Sequence, residues 1–211
     1  MKKLKLFFIL FILLFIYTFL AASIYTNSVC SGIADNVFRL HVLANSNSKE
    51  DQNLKYTVRD EVLKYISEIS KNCRNKEEII EIVQNNLDNI LNVAQTTVYN
   101  AGYSYKVNIE IGNFEFPTKK YGDTAFPPGM YDALRIKIGD ASGENWWCVM
   151  FPPLCFIDTT SGIVPDSSKE IMQENLETEE WALISSKTSD TKIKFKVVEV
   201  LQNISFGGIF M

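Results

Sequence analysis

The chain has 211 residues, 46% apolar and 22% charged, and carries a formal net charge of −4, which becomes −7 once Lys2, Lys3 and Lys5 of its opening segment are set aside. A body of that sign repels a phosphate backbone, which excludes nucleic acid as the expected partner. A single histidine and four cysteines, with none of the short spacings that mark zinc ligands, argue against a metal or any other cofactor.

Lys2, Lys3 and Lys5 precede an uninterrupted apolar run, Leu6 to Leu20, built almost wholly of Leu, Ile and Phe. About 13 such residues favour membrane insertion by roughly 4 to 8 kcal/mol. A run of about 15 residues spans only about 22 Å as a helix, the size of a signal-peptide core, whereas extension through Tyr25 just crosses a bilayer. Ala21, Ala22 and Ser23 offer small residues for a signal peptidase but no clean A-x-A, so segment 1–25 reads as a signal peptide or a membrane anchor. The lysines keep the N-terminal end cytoplasmic, and the rest is exported in either case. Residues 26–36 read as a linker. Residues 37–211 are long enough for one domain with a sizeable core.

Phe38, Leu40 and Val42 alternate with Arg39 and His41, a first strand over 38–43. A turn cluster follows, and Ser48 with Asp51 makes an N-cap for a helix carrying Leu54, Val58, Val62, Ile66 and Ile69 on one side. A second helix starts at Asn75, with Glu78 three residues on, and runs to near Gly102. Tyr105, Val107, Ile109 and Ile111 then alternate with polar residues, a strand with one buried face. The stretch from Gly122 to Gly129 breaks the chain before another strand, Tyr131 to Ile138. A short helix is expected from Lys169 to about Ala182, and a last strand where Ile193, Phe195 and Val197 alternate with lysines. The sum is an α+β domain, an antiparallel or mixed sheet with amphipathic helices packed on one face.

The segment from Asn145 to Phe156, NWWCVMFPPLCF, obeys neither periodicity. Pro152 and Pro153 fix φ and remove two donors, so it reads as strand, rigid turn, strand. Four cysteines allow three fully paired connectivities; Cys148 and Cys155, the closest pair, flank the turn and are the disulfide candidate. Cys30 and Cys73 are left open. Trp146 and Trp147 are adjacent, so a strand points them to opposite faces, one inward and one outward. The outward indole is either covered by a helix or a protein-binding or sugar-stacking residue. Asn45, Ser46, Asp51 and Gln52 either cap the first helix or form a polar recognition loop at the end of the first strand. The paired carboxylates at Asp60–Glu61, Glu77–Glu78 and Glu179–Glu180 lie on polar helix faces and need no catalytic role.

Three stretches, RLHVLANSNSKEDQNLKYTVRDEVL from Arg39, GMYDALRIKIG from Gly129 and NWWCVMFPPLCFID from Asn145, resemble the stage II sporulation protein R family of endospore-forming bacteria. The resemblance implies a sporulation signalling protein, made in the forespore and exported into the space between the two membranes that separate it from the mother cell. It further implies that the protein triggers a membrane-embedded aspartic protease, stage II sporulation protein GA, which matures the precursor of sigma-E. It highlights Arg39, Lys55, Asp60, Tyr131, Asp132, Cys148 and Cys155, and as partner-contact candidates His41, Asn45, Ser46, Asp51, Gln52, Arg59, Arg135, Trp146 and Trp147. On this reading the chain is an activator with no active site of its own. The rivals are an exported thiol hydrolase, using Cys148 or Cys155 with His41 as base, and a cell-wall glycan-binding module using the tryptophans.

Overall fold

From Leu6 to Ser31 the chain contains no glycine, proline or charge, so nothing interrupts a helix, and α1 (Lys2–Asp35) is continuous. The computed structural model describes residues 2–155 and 164–185. At 1.5 Å per residue α1 measures roughly 51 Å, and over Lys3–Asp35 it is long and apolar enough to cross a membrane. Its apolar side chains from Leu4 to Leu20 are nearly all exposed, a surface that suits lipid better than water. Residues 26–35, assigned to a linker by the sequence reading, are its last turns, and Cys30 and Ile33 are buried against the body.

β1 (Phe38–Leu43) follows at once, and Ser48 caps α2 (Lys49–Ile69) by accepting the Asp51 N–H at 3.1 Å. Asn75 caps α3 (Lys76–Asn85) in the same way through Glu78 at 2.9 Å. The expected single helix to Gly102 is two, because the chain breaks at Asn86 before α4 (Leu87–Asn100). There the Asn86 side chain donates to Ile82 O at 2.8 Å and accepts from the Tyr65 hydroxyl at 3.3 Å. Such side-chain bonds compete with the helical ladder.

β2 (Val107–Phe116) is longer than its alternation indicated. Within the expected break lies a hairpin, β3 (Lys119–Tyr121) and β4 (Thr124–Phe126), turning on Gly122 at φ 57°, a conformation glycine adopts without strain. β5 (Gly129–Ile138) and β6 (Asn145–Phe151) follow as expected. The expected helix from Lys169 divides at extended Leu176 into α5 (Asp166–Asn175) and α6 (Thr178–Ile184), the latter opened by a Glu177–Glu180 capping box. The strand expected at Ile193 to Val197, and most of the strand expected after Pro153, lie outside the described residues.

The sheet order is β2-β5-β1-β6, with β1 parallel to β5 and the other neighbours antiparallel, so the fold is α+β with a mixed sheet. One face packs on α2, α3 and α4 around Leu40, Val42, Val58, Ile66, Ile90, Leu134 and Ile136. The other face carries a second core, in which the end of α1, α5, α6 and the β3–β4 hairpin enclose Val37, Phe116, Phe126, Tyr131 and Val149. This second layer covers the Arg39–His41 side of β1. Arg39 is 0% exposed and His41 8%, because β1 is an inner strand roofed on both faces.

Candidate functional site

Register assembles what the linear chain keeps apart. Glu110 of β2 lies opposite Arg135 of β5, Arg135 beside His41 of β1, and His41 opposite Trp147 of β6. Side chains directly opposite share a face, so these four form one row across the sheet. Arg135 donates to Glu110 Oε1 through Nε at 2.8 Å and Nη2 at 2.6 Å, and Lys137 Nζ reaches the same oxygen at 2.6 Å. The Arg135 guanidinium lies 3.8 Å from the centre of the Phe114 ring. His41 stacks on Trp147 with centroids 5.4 Å apart, and its Nε2–H donates to Asn145 Oδ1 at 2.9 Å. Lys119, from the hairpin, places Nζ 4.1 Å from the Trp147 ring centre. His41 Nδ1 and the Trp147 indole N–H have no partner among the described residues.

Two residues down β1 from His41 is Arg39. Its guanidinium sits 4.2 Å from the Phe116 ring centre and 4.7 Å from that of Tyr131, and Nη2 donates to the Tyr121 hydroxyl at 3.1 Å. Tyr121 in turn donates to Trp147 O at 3.0 Å. Arg39 Nε and Nη1 have no partner among the described residues, and no described carboxylate forms an ion pair with it. The hairpin thus roofs a buried cation held by aromatic faces.

Trp146 points to the opposite face, as adjacency on a strand requires. There its ring meets Tyr56 edge-on at 5.6 Å and the Arg59 guanidinium at 4.3 Å, both on α2. Each tryptophan is therefore partly covered, and the sequence expectation of one buried and one outward indole resolves into two part-buried ones. Asn45, Ser46, Asp51 and Gln52 are engaged in holding the β1–α2 turn. Asp51 Oδ2 accepts from Asn45 Nδ2 at 2.8 Å and Ser46 Oγ at 2.6 Å, while Gln52 donates to Ser46 O at 2.8 Å. Asn45 Oδ1 accepts from Asp140 N and Asn47 Oδ1 from Glu144 N, tying this turn to the β5–β6 turn. Lys55, 1% exposed, bridges the two from below through Gln52 Oε1 at 2.6 Å and Glu144 O at 2.9 Å.

Geometry removes the thiol–imidazole pair. Cys148 lies opposite Leu40, so its side chain faces the helices while His41 faces the hairpin. Cys148 is moreover joined to Cys155, closing the Pro152–Pro153 turn, and Leu154 and Cys155 both donate their N–H to Val149 O at 3.0 Å. Cys30 and Cys73 are free thiols; burial, then the nearby Glu78 charge, pushes the Cys73 thiol up, away from thiolate. No group of three or more possible metal ligands occurs among the described residues.

Residues 34–161 match the stage II sporulation protein R family. The chain belongs to that family. The stage II sporulation protein R of Bacillus subtilis (strain 168) is 40% identical to it over 130 residues, which is 62% of this chain. The chain spans 58% of that relative's length. No solved structure matches. The family match begins in the last turn of α1 and takes in the whole sheet, so every partner-contact candidate falls inside it.

What the sequence reading missed around these candidates are Glu110, Lys119, Lys137 and Tyr56. Alternation in β2 and β5 put Glu110, Arg135 and Lys137 on polar sides, but only register brings them to His41. His41 also offers a direct test of its burial. Desolvation pushes its imidazole below the ordinary value, the Asn145 hydrogen bond opposes this, and the Arg135, Arg39 and Lys137 charges lower it further. As pH falls through about 6.5 the unfolded chain takes up a proton that the folded chain does not, so stability declines. The urea midpoint should drop between about pH 7.5 and about pH 5.5, and drop less in His41→Gln. An equal drop in both proteins would mean that the folded ring protonates freely.

Proposed function

We propose that this member of the stage II sporulation protein R family is an exported signal, made in the forespore, that activates the membrane-embedded aspartic protease stage II sporulation protein GA, so that pro-sigma-E is matured in the mother cell. The observation that carries this reading is the family match over the folded body, 34–161, carried behind a helix able to cross a membrane. The Cys148–Cys155 disulfide is in keeping with an exported body. We assign 1–25 to the signal peptide or anchor and 37–211 to the signalling domain, with the end of α1 serving as its base. The chain works by binding. It must favour the active state of the protease over the inactive one, since equal affinity for both shifts nothing.

Moving such an equilibrium from 1:99 to 99:1 takes about 5.5 kcal/mol of differential binding. One or two aromatic anchors supply much of that in protein interfaces. Trp146 and Trp147 suit the role, each half-buried with a cation against its ring and an indole N–H that has no acceptor among the described residues. His41 and Arg135 stand with Trp147, and Arg59 with Trp146. Asn45, Ser46, Asp51 and Gln52 shape the loop rather than project from it. We expect Trp146→Ala with Trp147→Ala to abolish sigma-factor maturation in sporulating cells while the chain still accumulates folded; normal maturation in the double variant removes the anchors.

A further inference from the structure

Antiparallel packing of α2 and α4 leaves a groove on the solvent side of the helical layer. Near one end the Tyr65 hydroxyl of α2 reaches Asn86, just ahead of α4, and further along the two helices share a depression of about 560 Å³. Its walls are Thr57 and Glu61 of α2 and Asn92, Thr96 and Asn100 of α4. That volume is in the range of ligand sites. Every wall residue is exposed, and Val93, which also lines the groove, is half-buried. The Thr57 hydroxyl donates back to Asn53 O at 3.1 Å. Among the described residues the side chains of Glu61, Asn92, Thr96 and Asn100 have no hydrogen-bond or ion-pair partner.

Spacing says what such a row can hold. Asn92, Thr96 and Asn100 follow one another at four-residue intervals, so they stand near one line along α4, about 6 Å apart. An extended peptide repeats its main-chain donor and acceptor on one side every two residues, about 6.6 Å. The two periods nearly match, and an asparagine side chain carries both a donor and an acceptor to meet each repeat. Charge adds a preference. Glu61 is the only charged residue of the lining, and the last turn of α4 has no basic residue to offset the carbonyl end of its dipole. A cationic side chain is therefore favoured there. A sugar would need an aromatic face to lie on, and no aromatic residue lines the groove.

We propose that the α2–α4 groove binds a short extended segment of a protein partner, held through its main chain by Asn92, Thr96 and Asn100 and through one lysine or arginine by Glu61. From Asn92 to Asn100 the row spans about 12 Å, room for about four residues of extended chain. No tryptophan takes part, and the site does not rest on the activation reading.

The test uses the full chain in zwitterionic detergent and, as probe, a dye-labelled, end-blocked hexapeptide of alternating Thr and Lys followed by anisotropy. Saturable binding is expected, with the dissociation constant rising about fivefold in Asn92→Ala and in Asn100→Ala and at least tenfold in Glu61→Lys. It should not change in Glu81→Lys, the same reversal of charge at an exposed site on α3 outside the groove. The same peptide with every second main-chain nitrogen methylated should bind at least tenfold more weakly, a loss that side-chain recognition alone would not produce. All the substituted residues are exposed on helices, so the thermal midpoint of each variant should stay at that of the wild type. No saturable binding, an equal loss in Glu81→Lys, or full affinity for the methylated peptide overturns the proposal. So does displacement of the probe by chitotriose as strong as by unlabelled peptide, which would make the groove a glycan site.

Discussion

Asp51→Ala should lower the unfolding free energy by about 2 to 4 kcal/mol, the largest single-residue effect expected among the polar candidates. Its carboxylate accepts from Asn45 and Ser46 at 2.8 and 2.6 Å and from the Tyr105 hydroxyl. Removing it strands three donors at a turn that is itself wired to the β5–β6 turn. Burial pushes this carboxyl up, but the bonds from Ser46, Asn45, Tyr105 and Ser48 together hold it below its ordinary value. A carboxylate of depressed pKa stabilises fully above its unfolded value, and the contribution disappears as pH falls through the folded one. The loss in Asp51→Ala should therefore be constant near neutral pH and shrink in strong acid. Thermal unfolding of the full chain in detergent should show a drop of roughly 6 to 12 °C, and Asp51→Asn a smaller one. A variant with unchanged melting but lost signalling would return Asp51 to the role of a recognition residue.

Removing the disulfide is the second large change. Cys148 and Cys155 are seven residues apart, and the chain-entropy relation gives about 2.5 kcal/mol for so short a loop. Cys148→Ala with Cys155→Ala should lose about that much stability, and a reductant should bring the wild type down to the variant while leaving the variant unmoved. The bridge closes the double-proline turn that ends β6, the strand carrying both tryptophans, so signalling should fall along with stability. Unfolding midpoints with and without dithiothreitol decide it: a reductant effect persisting in the double variant would mean that the stabilising bond involves Cys30 and Cys73 instead.

Much of this was legible one segment at a time. The uncharged run after Lys5 specified a helix that can cross a membrane, and it is one. Alternation located β1, β5 and the first half of β2, while Ser48 and Asn75 marked two helix starts correctly because a cap is a contact between residues three apart. The break at Asn86 was not legible, since Tyr65, on another helix, helps to hold the side chain that makes it. The β3–β4 hairpin was read only as a break because three-residue strands are too short to show a period.

The candidate site divides along the same line. Neighbourhood in the chain was enough to mark Cys148 and Cys155 as the disulfide candidate and to send Trp146 and Trp147 to opposite faces, and the motifs themselves led to the family. Tertiary structure alone decided that His41 faces Trp147 and not Cys148, that Arg39 is buried with no ion pair to a described carboxylate, and that the Arg135, Arg39 and Lys137 charges bear on the imidazole. The reason is one of range. Periodicity, capping and loop closure act over a few residues and are written in the local sequence, whereas strand register and the second layer over a sheet depend on partners up to about a hundred residues away, as His41 and Asn145 are.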